Sequence, residues 1–199
     1  MTPATQTPPR HELVVNGGPT ITSPQPSFPT VTARPASSDK PFVRYLWAAT
    51  RLCLGWTFLW PFMDKLFGLG HETASADAWL NGGNPTMGFL SHSAGPFSGI
   101  YQSIAGAGVV NVLFMGGLLG IGIALLLGIA MRPACIAGAT LLMLMWSASL
   151  PPQNNLFMDD HIIYALVLIG LAAVGAGKTL GLGEWWSRTA VVQRYSWLG

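Results

Sequence analysis

Charge is what this sequence has least of. Only 9% of its 199 residues are Asp, Glu, Lys or Arg, where an ordinary soluble domain carries about 25%. The net charge of +2 is too small to hold a nucleic acid against salt. Cysteine is nearly absent too. Cys53 and Cys135 lie far apart and no CxxC occurs, which excludes a thioredoxin-like dithiol and a cysteine zinc site. Both read as small buried hydrophobes. There is no CxxCH, no pair of histidines on facing apolar segments, and no Gly-rich nucleotide or flavin motif after a strand. His71 and His92 have no paired ligand spacing. No haem, flavin or metal is therefore expected in this chain. The opening residues, MTPATQTPPRHELVVNGG, lack a charged region followed by an apolar one. Insertion into a membrane is then expected to fall to the first apolar helix.

What is abundant is apolar sequence, half of the chain. It gathers into four stretches that begin near Val43, Val109, Ala134 and His161. Each approaches the roughly 20 residues that a bilayer core requires. The fold class expected is all-α, a four-helix transmembrane bundle. Residues 1–40 are rich in Pro, Thr and Ser with no hydrophobic period, and read as a disordered tail. Residues 41–182 form the membrane domain. Residues 183–199, GEWWSRTAVVQRYSWLG, mix Trp, Tyr and Arg without a clean helical stripe and read as an interfacial segment.

Within the domain, the first helix is expected over 41–67, with Pro41 at its start and a kink at Pro61. A long outer connection follows, 68–108. That is too long to be structureless in a compact domain, so short helices are expected in it, for example over 75–81, stopped by Gly82, Gly83 and Pro85. The second helix is expected over 109–131 and the third to Leu150, antiparallel after a very short turn at Met131, Arg132 and Pro133. Repeated small residues in GGLLGIGIALLLGIA allow close approach of helices. The fourth helix is expected over 161–177.

Orientation follows from Lys and Arg. If four helices alternate, Arg10, Arg34, Lys40, Arg44, Arg132, Lys178, Arg188 and Arg194 fall on one side. The other side has Lys65 alone, with Asp64, Glu72, Asp77, Asp159 and Asp160. Both termini are expected in the cytoplasm.

Several polar residues sit where lipid would surround them. Arg51 lies about two turns into the first helix. A charge there is costly, roughly 2.5–3.5 kcal/mol on insertion scales. It suits binding of an anion or a quinone carbonyl, or snorkels to the headgroups beside Arg44. Asp64 and Lys65 end the first helix on the side where Asp159, Asp160 and His161 open the fourth. A carboxylate and an imidazole there suit proton transfer linked to quinone chemistry. The structural alternatives are helix capping by the aspartates and headgroup anchoring by Lys65. Trp47, Trp56 and Trp60 suit an interfacial belt, and Trp60 would also stack on a quinone. Asn111, a polar group in an apolar run, is expected to hydrogen-bond across helices.

The runs RLCLGWTFLWPFMDKLFGLG, AWLNGGNPTMGFL and NNLFMDDHIIYALVLIGLAAVGAGKTLGLGEWW resemble the DoxX/DoxD family of small bacterial membrane proteins, over about Phe42 to Trp186. The resemblance implies a four-helix bundle in the bacterial inner membrane. It also implies a thiosulfate:quinone oxidoreductase whose large subunit, DoxD, works with a second subunit, or a larger sulfur or oxidative-stress redox assembly. No site residue is carried over from the family. On this reading thiosulfate is oxidised at the outer face and quinone is the mobile electron acceptor. Lys65, Arg51 and Trp60 would hold the anion or the quinone. Asp160 and His161 would handle protons, and Asp64, Asn111 and Asp159 would be structural. A dianion favours a basic pocket, and the outer face is net acidic. The alternative is a non-catalytic subunit that anchors or stabilises a respiratory or oxidative-stress complex. A carrier is weaker, because no repeat or broken-helix pair is visible.

Overall fold

The computed structural model describes residues 40–152 and 155–198; the tail expected over 1–40 lies, but for Lys40, outside them. All regular structure among the described residues is helical. Four longer helices build the body: α1 (Pro41–Phe67), α4 (Gly108–Leu127), α5 (Met131–Ala148) and α6 (Asp160–Ala173). Two short helices, α2 (Met87–Ser91) and α3 (Ser98–Ile104), lie in the connection after α1, with 3-10 turns at Ser75–Asp77 and Trp79–Asn81. Two more, α7 (Gly183–Ser187) and α8 (Ala190–Arg194), follow α6.

Local chemistry sets the boundaries. Pro41 opens α1, and Gly68, in the left-handed region at φ 67°, closes it by donating to the Asp64 carbonyl. Helix α1 runs through Pro61 to Phe67 as one element. Asp159 caps α6, its carboxylate accepting from the Ile162 N–H. The turn between α4 and α5 is residues 128–130, not 131–133. Met131, Arg132 and Pro133 already belong to the first turn of α5, where the N–H that proline lacks is not needed for a helical bond.

Helix α1 packs along α4, α5 along α6, and the two pairs meet through α4 and α5. The buried positions of α4 recur at helical spacing, Asn111, Met115, Leu118, Ile121, Gly122 and Leu125. They join Leu54 and Phe58 of α1, Cys135 and Leu142 of α5, and Ala165, Leu168 and Leu171 of α6 in one core. Cys135 is buried as expected. Cys53 is exposed, on the flank of α1.

Two helices, α4 and α5, are long and apolar enough to cross a membrane. At 20 residues, α4 is about 30 Å long. Helix α1 has the length, but Arg44, Arg51, Asp64 and Lys65 lower its mean hydropathy. The fourth helix departs from the sequence expectation. It ends at Ala173 after 14 residues, about 21 Å. Gly175 then turns at φ 62° into a separate 3-10 turn at Ala176–Lys178.

The basic residues Arg44, Arg132 and Lys178 collect at one end of the bundle with α7 and α8: Arg44 Nε donates to Thr179 Oγ1 at 3.3 Å, and Arg132 Nη1 to the Ser196 carbonyl at 3.4 Å. Asp64, Glu72, Asp159 and Asp160 lie at the other, here the acidic end. There the connection folds back tightly. A Cβ added at Gly83 would fall on the carbonyl of Asp77 and within 2.9 Å of the Ala78 oxygen, so backbone rather than a movable side chain fills the space. Gly83→Ala is expected to destabilise the protein by about 1–3 kcal/mol, read as a lowered melting temperature in detergent. An unchanged melting temperature would contradict this packing.

Candidate functional site

At the acidic end the four longer helices and the connection line a cavity of about 790 Å³, within the roughly 300–1,000 Å³ of ordinary ligand pockets. Phe58, Leu118, Ile121 and Leu142 close it toward the core. Phe114, Leu113, Leu141, Leu144 and Met145 line its sides, and Pro85, Phe89 and Leu90 of the connection roof it. Its walls are therefore almost wholly apolar. The ionisable exceptions are Lys65, Glu72, Asp160, His161 and Tyr164.

Lys65 reaches the cavity because Thr57, Pro61 and Lys65 follow one another at i, i+4 and i+8 on a single face of α1, and all three line the wall. Pro61 also deprives the Thr57 carbonyl of its helical donor on that same face. Glu72 is brought in by Asp64. The Asp64 carboxylate, 2% exposed, accepts from the backbone N–H groups of His71, Glu72 and Thr73 at 3.3, 3.1 and 2.9 Å. These charge-assisted bonds fold the connection onto the end of α1 and set Glu72 3.2 Å from Lys65.

His161 and Asp160, on the first turn of α6, also line the cavity. His161 Nδ1 lies 2.8 Å from Asp159 Oδ2 and 3.5 Å from Asp160 Oδ1. The shorter contact places a proton on Nδ1, donated to Asp159. Nε2 makes no hydrogen bond among the described residues. Asp159 does two jobs, capping α6 and orienting the imidazole. The ligand atoms of Asp159, Asp160 and His161 lie within 4.8 Å of one another, and the cap and the pair account for that clustering.

Asp160, His161 and Phe89 also line a second cavity of about 770 Å³, with His92, Ser93, Ala94, Ser149 and Pro151. It is the more polar of the two. The three shared residues form the partition between the chambers.

Other residues singled out by sequence lie elsewhere. Arg51, 0% exposed, neither lines the cavity nor snorkels. Its Nη1 donates to the carbonyls of Leu125 and Leu126, the latter at 3.0 Å. Its Nη2 donates to those of Thr179 and Leu180 at 3.3 and 2.8 Å. It is a clamp on the C-terminal end of α4, where cations are favoured. Trp60 faces away from the cavity, 5.9 Å from Trp56 and edge-on to His71 at 5.1 Å, centroid to centroid. Asn111 does not bridge two long helices. Its Oδ1 accepts from the backbone N–H and the hydroxyl of Thr86, at 3.2 and 2.6 Å, and pins the roof to α4.

Glu72, Thr86, Phe89 and Tyr164 were not foreseen as lining residues. Tyr164 had a signal, since i+3 from His161 places it on the same face of a helix. The other three depend on how the connection folds and had none. Comparison with family models, with curated proteins and with solved structures finds no match, so the DoxX resemblance stands on the sequence runs quoted above.

Proposed function

We propose that this chain is a DoxX-like four-helix subunit of the bacterial inner membrane that binds a quinone in the cavity at its acidic end. The observation that carries the reading is the cavity itself: mostly apolar walls of ligand size, with Lys65, Asp160 and His161 among the lining residues. A quinone needs an apolar slot for its ring and tail, a donor to its carbonyls and a route for protons. Lys65 Nζ is a donor, and the His161 imidazole paired to Asp159 is suited to pass a proton. Membrane insertion of all four helices is supported by their outward faces. Trp56 on α1, Val112 and Leu113 on α4, Ile136 on α5, and Leu166 and Ile169 on α6 are all exposed, more large apolar side chains than a soluble monomer ordinarily leaves in water. The collected basic residues favour a cytoplasmic basic end and an outer acidic end.

The sulfur half of the reading rests on the resemblance alone. Around the cavity one lysine faces two carboxylates, and Lys65 is already engaged by Glu72. That charge pattern disfavours a dianion such as thiosulfate, so its oxidation is assigned to a second subunit. The same observation gives weight to the alternative, a non-catalytic subunit that stabilises a redox complex. On that alternative the cavity holds lipid.

The test is binding of decylubiquinone to the protein in nanodiscs. One molecule per chain is expected to bind. Leu118→Trp, which fills the floor of the cavity, is expected to weaken binding by about tenfold or more, equivalent to about 1.4 kcal/mol. No binding by the wild type, or equal binding by the folded variant, would discard the quinone site and leave the non-catalytic reading.

A further inference from the structure

The charged and apolar parts of the cavity wall come from different helices. Every ionisable lining residue belongs to α1, the connection or α6. The α4 and α5 side contributes Leu113, Gly117, Ala137, Thr140, Leu141 and Leu144, apolar but for one hydroxyl. Leu113 is 69% and Leu144 53% exposed, and Ala137 and Thr140 are exposed too. These residues line the cavity and face the outside of the bundle at once, on the half nearer the acidic end. Gly117 keeps the seam narrow at its base, where an added Cβ would touch Leu141 at 3.7 Å.

We infer that the seam between α4 and α5 is a lateral portal, through which an amphiphile with an uncharged hydrogen-bonding headgroup enters from the bilayer. This rests on the quinone reading and specifies how the ligand arrives and lies. Its headgroup sits against Lys65 and His161, and its apolar tail leaves between Leu113 and Leu144 into lipid. Two other routes compete. The polar chamber meets the cavity only at Phe89, Asp160 and His161, and a long apolar tail would have to cross polar surface there. The opposite seam, between α1 and α6, has exposed Thr57 and Tyr164 but also Lys65, Asp160 and His161 on its rim. Drawing a hydrocarbon tail past those charges would cost their solvation.

The experiment is stopped-flow association of decylubiquinone with nanodisc-embedded protein. Thr140→Trp is expected to slow association by about tenfold, and Leu113→Ala to speed it by a few-fold, while Ala94→Trp in the polar chamber stays within about twofold of wild type. Leu113→Ala keeps the test decisive if the larger side chain perturbs folding, because misfolding does not accelerate binding. Unchanged association in Thr140→Trp and Leu113→Ala would overturn the portal, and slowing by Ala94→Trp in their place would identify the polar chamber as the route. If the wild type binds no decylubiquinone, the quinone reading fails first and the portal with it.

Discussion

Replacing Arg51 with alanine is expected to destabilise the protein by about 3–5 kcal/mol, because several carbonyls lose a charged donor, each at a cost of about 1–3 kcal/mol. That is a large part of the roughly 5–15 kcal/mol that keeps a domain folded. Four carbonyls accept from this guanidinium: Leu125, which also accepts from the Gly128 N–H, and Leu126 at the end of α4, and Thr179 and Leu180 in the segment after α6. The last turn of any helix leaves carbonyls without partners. Here the next one, Leu127, accepts from the Leu182 N–H at 2.8 Å, so Arg51 and Leu182 together satisfy the end of α4 from outside the helix. Glycines make the approach possible. A Cβ at Gly181 would lie 2.6 Å from the Gly177 oxygen and 3.1 Å from Arg51 Nη2. One at Gly128 would lie 2.7 Å from that same oxygen and 2.8 Å from Nη1. Arg51→Lys is expected to recover little, because one ammonium cannot replace a planar fork that serves carbonyls on two segments. Chemical unfolding in detergent measures the loss. Hydrogen exchange localises it, with the Leu182 N–H expected to exchange faster once the segment detaches. A stability within about 1 kcal/mol of wild type for Arg51→Ala would show that the clamp contributes little.

Arg51 also marks where sequence reasoning stops. An arginine in an apolar run was visible as an anomaly, and its cost in lipid demanded a partner. The partners are backbone carbonyls 74 to 129 residues away, and no side-chain pattern encodes them. The helices themselves were legible, because apolar runs and Pro or Gly punctuation are local. Helix α6 came out shorter because Gly175 turns the chain and Gly177 packs against the Gly128 carbonyl, where an added Cβ would lie 2.5 Å from the oxygen, a tertiary constraint. Trp60 shows a subtler limit. It is next to Pro61, but one residue is a rotation of roughly 100°, and that carries its indole off the face of Thr57, Pro61 and Lys65 toward His71. The Asp159 cap was readable from residue type and position. Glu72 was not, since its place depends on Asp64 gathering three N–H groups from residues that themselves carry no signal.

Under the quinone reading, His161→Gln is expected to lower turnover by about 10²–10⁴, the usual contribution of a positioned acid–base group, with decylubiquinone affinity little changed. The assay uses membranes holding the whole assembly, with thiosulfate as donor and decylubiquinone as acceptor. Asp159 allows the chemical and structural roles to be separated. Its Oδ1 caps α6 at the Ile162 N–H, 3.4 Å away, while its Oδ2 holds His161 Nδ1. Asp159→Ala removes both and confuses them. Asp159→Ser keeps a side-chain oxygen that can cap the helix, yet its shorter hydroxyl takes away the carboxylate that orients the ring. Asp159→Ser is therefore expected to retain stability within about 0.5 kcal/mol while turnover falls by about 10–100-fold. Loss of stability without loss of rate would reduce Asp159 to a cap. Full turnover in His161→Gln would remove the imidazole from the proton path and leave Asp160, 68% exposed at the partition between the chambers, as the group that meets both sides.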